Sequence, residues 1–295
     1  MDDTVMETWA TSLPSLTRLE LLGPFLVRGT WKLFFESHPQ LEAFLITQSP
    51  RFDLECMESL VTNCKGLKEV RLKEIEKMED GFLTYLKKLK GGLSYLDLSD
   101  PTTSCSEIAV IGLLKVVGPT LTYLNLGKHT LLTDNFLNKG IKLHARTLTS
   151  LVLSHLPELT DEGVAQFFST WTEAAGRKAP NPPLISLDLS RNHELSSASL
   201  AAILEHSGST LQYLNINGWK STSEEALSDI AKLTKDLRSL DVGWCREMDD
   251  FVMKSLMEEC RRVEEVKVWG CNRLTARCPR KVSTFLRLIY VGIVC

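Results

Sequence analysis

A metal centre or a nucleophile in this 295-residue chain would have to be built from its six histidines and eight cysteines. Their spacing argues against both. His38, His129, His144, His155, His193 and His206 are scattered, and none stands at i, i+4 from a second histidine or a cysteine, so no helix face presents a zinc-binding pair of those ligands. Cys271 and Cys278 are separated by six residues with no second pair nearby, which is not the spacing of a zinc site. The chain has no G-x-x-x-x-G-K-[ST] phosphate loop and no G-x-S-x-G nucleophile elbow. Acids such as Asp97, Asp188 and Asp241 recur, but at an architectural spacing, so they belong to a scaffold before they belong to acid–base chemistry. The reading is of a non-enzyme with no cofactor and no metal.

That spacing comes from a repeat. In DLRSLDVGWCREMDDFVMKSLMEEC, Asp236 to Cys260, an L-x-x-L-x-L phrase is followed by a tight polar turn and then by apolar residues at helical spacing. The first apolar position of the phrase recurs at Leu16, Leu41, Leu67, Leu93, Leu121, Leu148, Leu184, Leu211, Leu237 and Val263. The steps are 25, 26, 26, 28, 27, 36, 27, 26 and 26 residues. One strand, one turn and one helix per period is a leucine-rich repeat, and a single copy cannot bury both of its apolar faces. The expected fold is therefore α/β: a leucine-rich-repeat solenoid of about ten repeats, a ribonuclease-inhibitor-like horseshoe with a parallel concave sheet and outer helices. The solenoid is expected over 1–281. The long step falls in an insertion loop, 171–183, whose three prolines read as irregular, and 282–295 reads as an irregular tail outside the register. Val-Ser after Lys281 is what a read-through splice donor encodes, so that tail is read as translated intron.

An apolar fraction of 43% with 24% charged residues is ordinary for a folded domain, and a net charge of −3 gives no overall attraction to nucleic acid. The cysteines track the repeat: Cys64 and Cys260 close helices while Cys245 and Cys271 follow strands, so they read as small buried side chains in a reducing compartment. MDDTVMETWA has the wrong charge and no apolar core for a signal peptide. No capping element is legible before Leu13, nor an F-box helical module, and the chain reads as part of a longer protein.

The repeat also says which residues face outward. Strand alternation puts Asp97, Asn125, Asp188, Asn215 and Asp241 in one outward stripe, with Tyr95, Tyr123 and Tyr213 beside it. Acids and amides with tyrosines suit a protein ligand better than a phosphate backbone. Trp219, Trp244 and Trp269 each follow a strand in consecutive repeats; exposed they would anchor a partner, buried they would fill the turn layer. From Arg261 to Arg287, eight basic residues face only Glu264 and Glu265, and Arg273, Arg277, Arg280 and Lys281 could contact DNA or an acidic partner segment.

Phrases such as LTDEGV, Leu159 to Val164, resemble the cysteine-containing leucine-rich repeats of F-box-type proteins. The last two repeats, LDVGWCREMDD and VKVWGCNRLTARCPRK, narrow the likeness. They resemble the radiation-sensitivity-protein-seven family, the leucine-rich-repeat subunits of fungal global-genome nucleotide excision repair. This resemblance rests mainly on residues 237–281. It implies a nuclear, non-catalytic interaction scaffold that partners a SWI/SNF-type ATPase and joins a cullin ubiquitin ligase through an elongin-C-like adaptor, with DNA contact secondary. The family's N-terminal adaptor-binding region has no counterpart in these residues. The alternative is a substrate-recognition subunit of an F-box-type ubiquitin ligase unrelated to repair.

Overall fold

The computed structural model describes residues 2–25, 27, 29–89, 92–171, 183–275 and, for the backbone, the strand 287–289. The chain forms two units, Met1–Leu148 and Thr149–Cys295. The first contains α1 (Asp3–Ser12), β1 (Arg18–Leu22), α2 (Trp31–Ser37), β2 (Ala43–Thr47), α3 (Leu54–Asn63), β3 (Glu69–Lys73), α4 (Asp80–Leu86), β4 (Tyr95–Asp97), α5 (Glu107–Val117), β5 (Tyr123–Asn125) and the helical stretch α6 (Asp134–Phe136) to α7 (Lys142–His144). The second contains β6 (Ser150–Val152), α8 (Asp161–Trp171), β7 (Ser186–Asp188), α9 (Ser197–Ser207), β8 (Tyr213–Asn215), α10 (Glu224–Leu233), β9 (Ser239–Asp241), α11 (Asp250–Glu259), β10 (Glu265–Lys267) and β11 (Arg287–Ile289). Within each unit, successive strands pair in parallel, in chain order. This is the leucine-rich-repeat architecture.

The paired registers put phrase against phrase. Leu214 lies opposite Leu240, and Leu240 opposite Val266, so the inward residues stack into one apolar layer under the helices. Leu184, Leu211 and Leu237 are buried in the second unit, and Leu41, Leu67, Leu93 and Leu121 are buried in the first. Truncating one such side chain, Leu240 for example, to alanine costs about 2–5 kcal/mol. Phe44 and Val70, the departures from leucine, lie in five-residue strands and are fully buried. Trp31 packs against Phe35, Phe44 and Phe52 in the first unit. In the second, Trp171 stacks on His206 at 5.0 Å, and burial depresses that imidazole to about 4.

Two backbone devices recur with the period. Seven residues after each phrase start, the chain takes a left-handed conformation: Gly23, Gln48, Glu74, Asp100, Lys128, His155, Arg191, Gly218, Trp244 and Gly270. Such a conformation is costly for a residue with a Cβ. It is held because the turn N–H bonds the next repeat's carbonyl, as Arg191 N does to Asn217 O at 2.7 Å and Gly218 N to Gly243 O at 2.8 Å. The second device is a clamp between helices. An acid at a helix's first position accepts from the N-cap Ser or Thr of the next helix, as Asp80 does from Ser106, Glu107 from Thr133 and Asp161 from Ser196.

Two expectations are corrected here. The segment before Leu13, where no capping element is legible in the sequence, is a helix. It is α1, with Met6 and Ala10 buried and Asp2 capping its N-terminus. Asp3 of α1 binds Thr30, just before α2, in the same clamp geometry. Helix α1 buries few large apolar side chains, so its pattern is faint in the sequence. The tail read as irregular contains β11, which pairs with β10 through Glu265↔Arg287, Val266↔Leu288 and Lys267↔Ile289. An open strand edge offers unpaired backbone groups to any extended segment nearby, whatever its repeat register. The insertion's residues 172–182 lie outside the described residues.

Candidate interaction surfaces on the two sheet faces

The outward stripe is half structural. Asp97, Asn125, Asp188, Asn215 and Asp241 each turn Oδ1 back on the backbone N–H two residues ahead, at 2.8–3.0 Å. Short acid and amide side chains do this readily, and the bond steers the chain out of the strand into the left-handed turn. Asp97 is only 4% exposed and also accepts from Ser99 Oγ at 2.7 Å. Its expected place in a partner-binding stripe is therefore corrected: Asp97 is turn architecture. The other four are partly exposed.

On the first unit's open face, Tyr95 and Tyr123 stack with ring centroids 4.1 Å apart and planes 7° from parallel. Strand pairing sets them directly opposite one another. Arg71 donates to Tyr95 Oη at 3.3 Å and to Glu20 at 2.9 Å, and lies 3.7 Å from Asp97. Burial, with Asp97 beside it, pushes the Tyr123 phenol up. Burial alone would raise Asp100, but Lys128 and Lys73 outweigh it and hold that carboxyl low. These pairs are exposed enough to add little stability; what they do is neutralise the face.

On the second unit's open face, Asn215 Nδ2 donates to Asp188 Oδ2 at 2.8 Å, and Asn217 Nδ2 to Asp241 Oδ1 at 3.1 Å. Burial raises the Asp188 carboxyl, and the charge of Asp241 adds to it; Ser190 and Asn215 pull the other way. Tyr213 is 47% exposed beside this ladder.

The three tryptophans separate. Trp244 and Trp269 are 56% and 38% exposed, whereas Trp219 is wholly buried and its Nε1 donates to Leu189 O at 2.9 Å. For Trp219 the anchor reading is corrected. The reason is register: the tryptophans are 25 residues apart in steps of 26, so they stand eight, seven and six residues after their phrase starts. Position eight points inward, as buried Asn192, Cys245 and Cys271 show. Trp244 lies over Gly270, where a Cβ would come within 2.5 Å of the ring.

Of the basic residues, Arg273 pairs with Glu247, which neutralises it, and Arg277, Arg280 and Lys281 lie outside the described residues. The thiols of Cys64, Cys245, Cys260 and Cys271 donate to carbonyls of the preceding repeat at 3.2–3.5 Å. Burial pushes Cys64, Cys105 and Cys271 up to about 12, far from thiolate chemistry. Among the described residues, no group of three His, Cys, Asp or Glu side chains is placed to hold a metal ion, and no helix is long and apolar enough to cross a membrane.

No family model matches the chain. It is 29% identical over 277 residues to DNA repair protein rhp7 of Schizosaccharomyces pombe and 27% identical over 281 residues to DNA repair protein RAD7 of Saccharomyces cerevisiae. These alignments cover 93% and 92% of this chain but 48% of each relative, so the chain spans about half their length. Among solved structures it is similar to Rad7 in the crystal structure of the yeast Rad7 and Elc1 complex, with a TM-score of 0.85 and 26% identity over 98% of this chain and 71% of that one. The leucine-rich-repeat protein LegL7 of Legionella pneumophila shares the fold alone, with a TM-score of 0.52 and 14% identity over 88% of this chain and 85% of that one. The likeness to the repair proteins thus runs through nearly all the repeats, well beyond 237–281.

Proposed function

We propose that this chain, similar along more than nine-tenths of its length to two yeast DNA repair proteins, is a non-catalytic interaction scaffold of a nuclear nucleotide-excision-repair complex. The observation that carries the reading is the match of nearly the whole chain to Rad7 as crystallised with Elc1. In this reading the repeats dock a SWI/SNF-type repair ATPase and work beside an elongin-C-like adaptor and a cullin, and DNA contact is secondary. The open sheet faces are the docking surfaces: Tyr95, Tyr123 and Asn125 in the first unit, and Asp188, Tyr213, Asn215, Asp241, Trp244 and Trp269 in the second. A few exposed aromatic side chains on a rigid sheet are the hot-spot composition of protein interfaces, which supports protein ligands. Repeats held by backbone ladders and clamps keep those side chains in place without a partner, which lowers the ordering cost of binding.

The test is affinity purification of the tagged chain from nuclear extract, with mass spectrometry of what it retains. Recovery of a SWI/SNF-type ATPase is the expected result. Recovery of F-box-type ligase adaptors and varied substrates without the ATPase would replace this reading with a substrate receptor unrelated to repair.

A further inference from the structure

The two open faces balance their charge differently. In the first unit the outward charges are matched side chain by side chain: Arg18 with Glu69, Arg71 with Glu20 and Asp97, Lys73 with Asp100. On β7–β10, Lys267 pairs with Glu265 at 3.3 Å, and among the described residues no cation pairs with Asp188 or Asp241. These two carboxylates stand two strands apart with Asn215 between them, hence about 10 Å at ordinary strand spacing. Beside them the Asn217 amide covers Gly243: a Cβ there would collide with Asn217 Nδ2 and lie 3.2 Å from Asp241 Oδ1 and 3.3 Å from Trp269 Cβ, so the carboxylate and the partly exposed Trp269 flank the same turn.

We propose that the open face of β7–β10 docks an arginine-bearing basic segment of a protein partner, with a guanidinium over Asn215 between Asp188 and Asp241 and a second basic side chain against Trp269. This rests on the scaffold reading and adds the chemistry of the ligand. A cation there relieves the mutual repulsion of the two carboxylates. Arginine fits better than lysine because its planar fork can bridge acceptors, stacks on an indole and is less strongly hydrated. A phosphate backbone is disfavoured, since it would meet uncompensated carboxylates.

The experiment titrates the purified chain with a fluorescein-labelled (Gly-Arg)4 peptide, reading peptide anisotropy and tryptophan emission. The comparison probes are (Gly-Lys)4, (Gly-Glu)4 and a 20-mer of oligo-dT. The arginine peptide is expected to bind and shift the emission, with lysine weaker and the two acidic probes silent. The double variant Asp188→Asn, Asp241→Asn keeps both turn acceptors and should weaken binding by about tenfold. Trp269→Ala should weaken it several-fold. Glu36→Gln with Glu258→Gln, which removes the same charge from helix surfaces, should leave it unchanged. Unaltered binding by the correctly melting Asp188/Asp241 variant overturns the proposal, as does no binding of (Gly-Arg)4. Tighter binding of oligo-dT overturns it in favour of nucleic acid. Retention of the ATPase by the wild-type chain reads the scaffold role separately, whatever the peptide does.

Discussion

The Asp161 clamp joins the repeats on either side of the long step, and its removal should be the most costly surface substitution in the second unit. Asp161 Oδ1 accepts from Ser196 N at 2.8 Å, Ser199 N at 3.2 Å and Ser199 Oγ at 2.6 Å, and Oδ2 accepts from Ser196 Oγ at 2.6 Å. These include the N-cap of α9 and a hydroxyl that is fully buried. A hydrogen bond to a charged group is worth about 1.5–3 kcal/mol, but the carboxylate is only half-buried and water replaces part of what is lost. Asp161→Ala is therefore expected to cost about 2–3 kcal/mol in urea unfolding followed by circular dichroism. Burial alone would raise this carboxyl, yet the bonds from Ser196 and Ser199 outweigh it and hold it below the usual range. A group depressed in the folded state stabilises fully above its unfolded value, about 3.9, and loses that contribution as pH falls through the folded value. The gap between wild type and Asp161→Ala should stay constant from neutral pH to about 5 and shrink below 4. A variant within about 0.5 kcal/mol of wild type at pH 7, or a gap that widens in acid, would refute the argument.

Other outcomes follow from the same geometry. Trp219→Phe removes one of two donors to the buried Leu189 carbonyl, which Asn192 Nδ2 still serves at 2.8 Å, and leaves part of the indole's space empty, so a thermal melt should show a loss of about 1–2 kcal/mol, with Trp244→Phe near neutral. Gly270→Ala places a Cβ at a left-handed position and against the Trp244 ring, so it should cost about 1–3 kcal/mol and shift tryptophan emission. Cys64, Cys105 and Cys271, pushed up to about 12 and buried, should resist iodoacetamide at pH 8 until denaturant is added, as read by peptide mass mapping.

Tertiary contacts explain what the sequence hid. The left-handed turn falls on Gln, Glu, Asp, Lys, His, Arg or Trp at seven positions and on glycine at three, because the inter-repeat hydrogen bond enforces it and no local propensity announces it. The helix clamps pair residues 26 to 35 positions apart, and only the stacked register brings Asp80 to Ser106. Helix α1 shows only Met6 and Ala10 to the core, too short a pattern to read by periodicity. The open face that carries the proposed ligand chemistry was legible as a stripe, but not the charge balance across it.

By itself the sequence determined the repeat, its period, the parallel strand order and most of the inward strand leucines, because a period of 26 with alternating apolar positions admits one way of burying both strand and helix faces. It also set the recurring acids at the spacing of the repeat. Which of them keep a free face, which tryptophan reaches solvent and which carboxylates lack a cation were decided only by the tertiary structure. One residue of register turns an indole from solvent to core, and ion pairing depends on neighbours that are remote in sequence and adjacent only across the sheet.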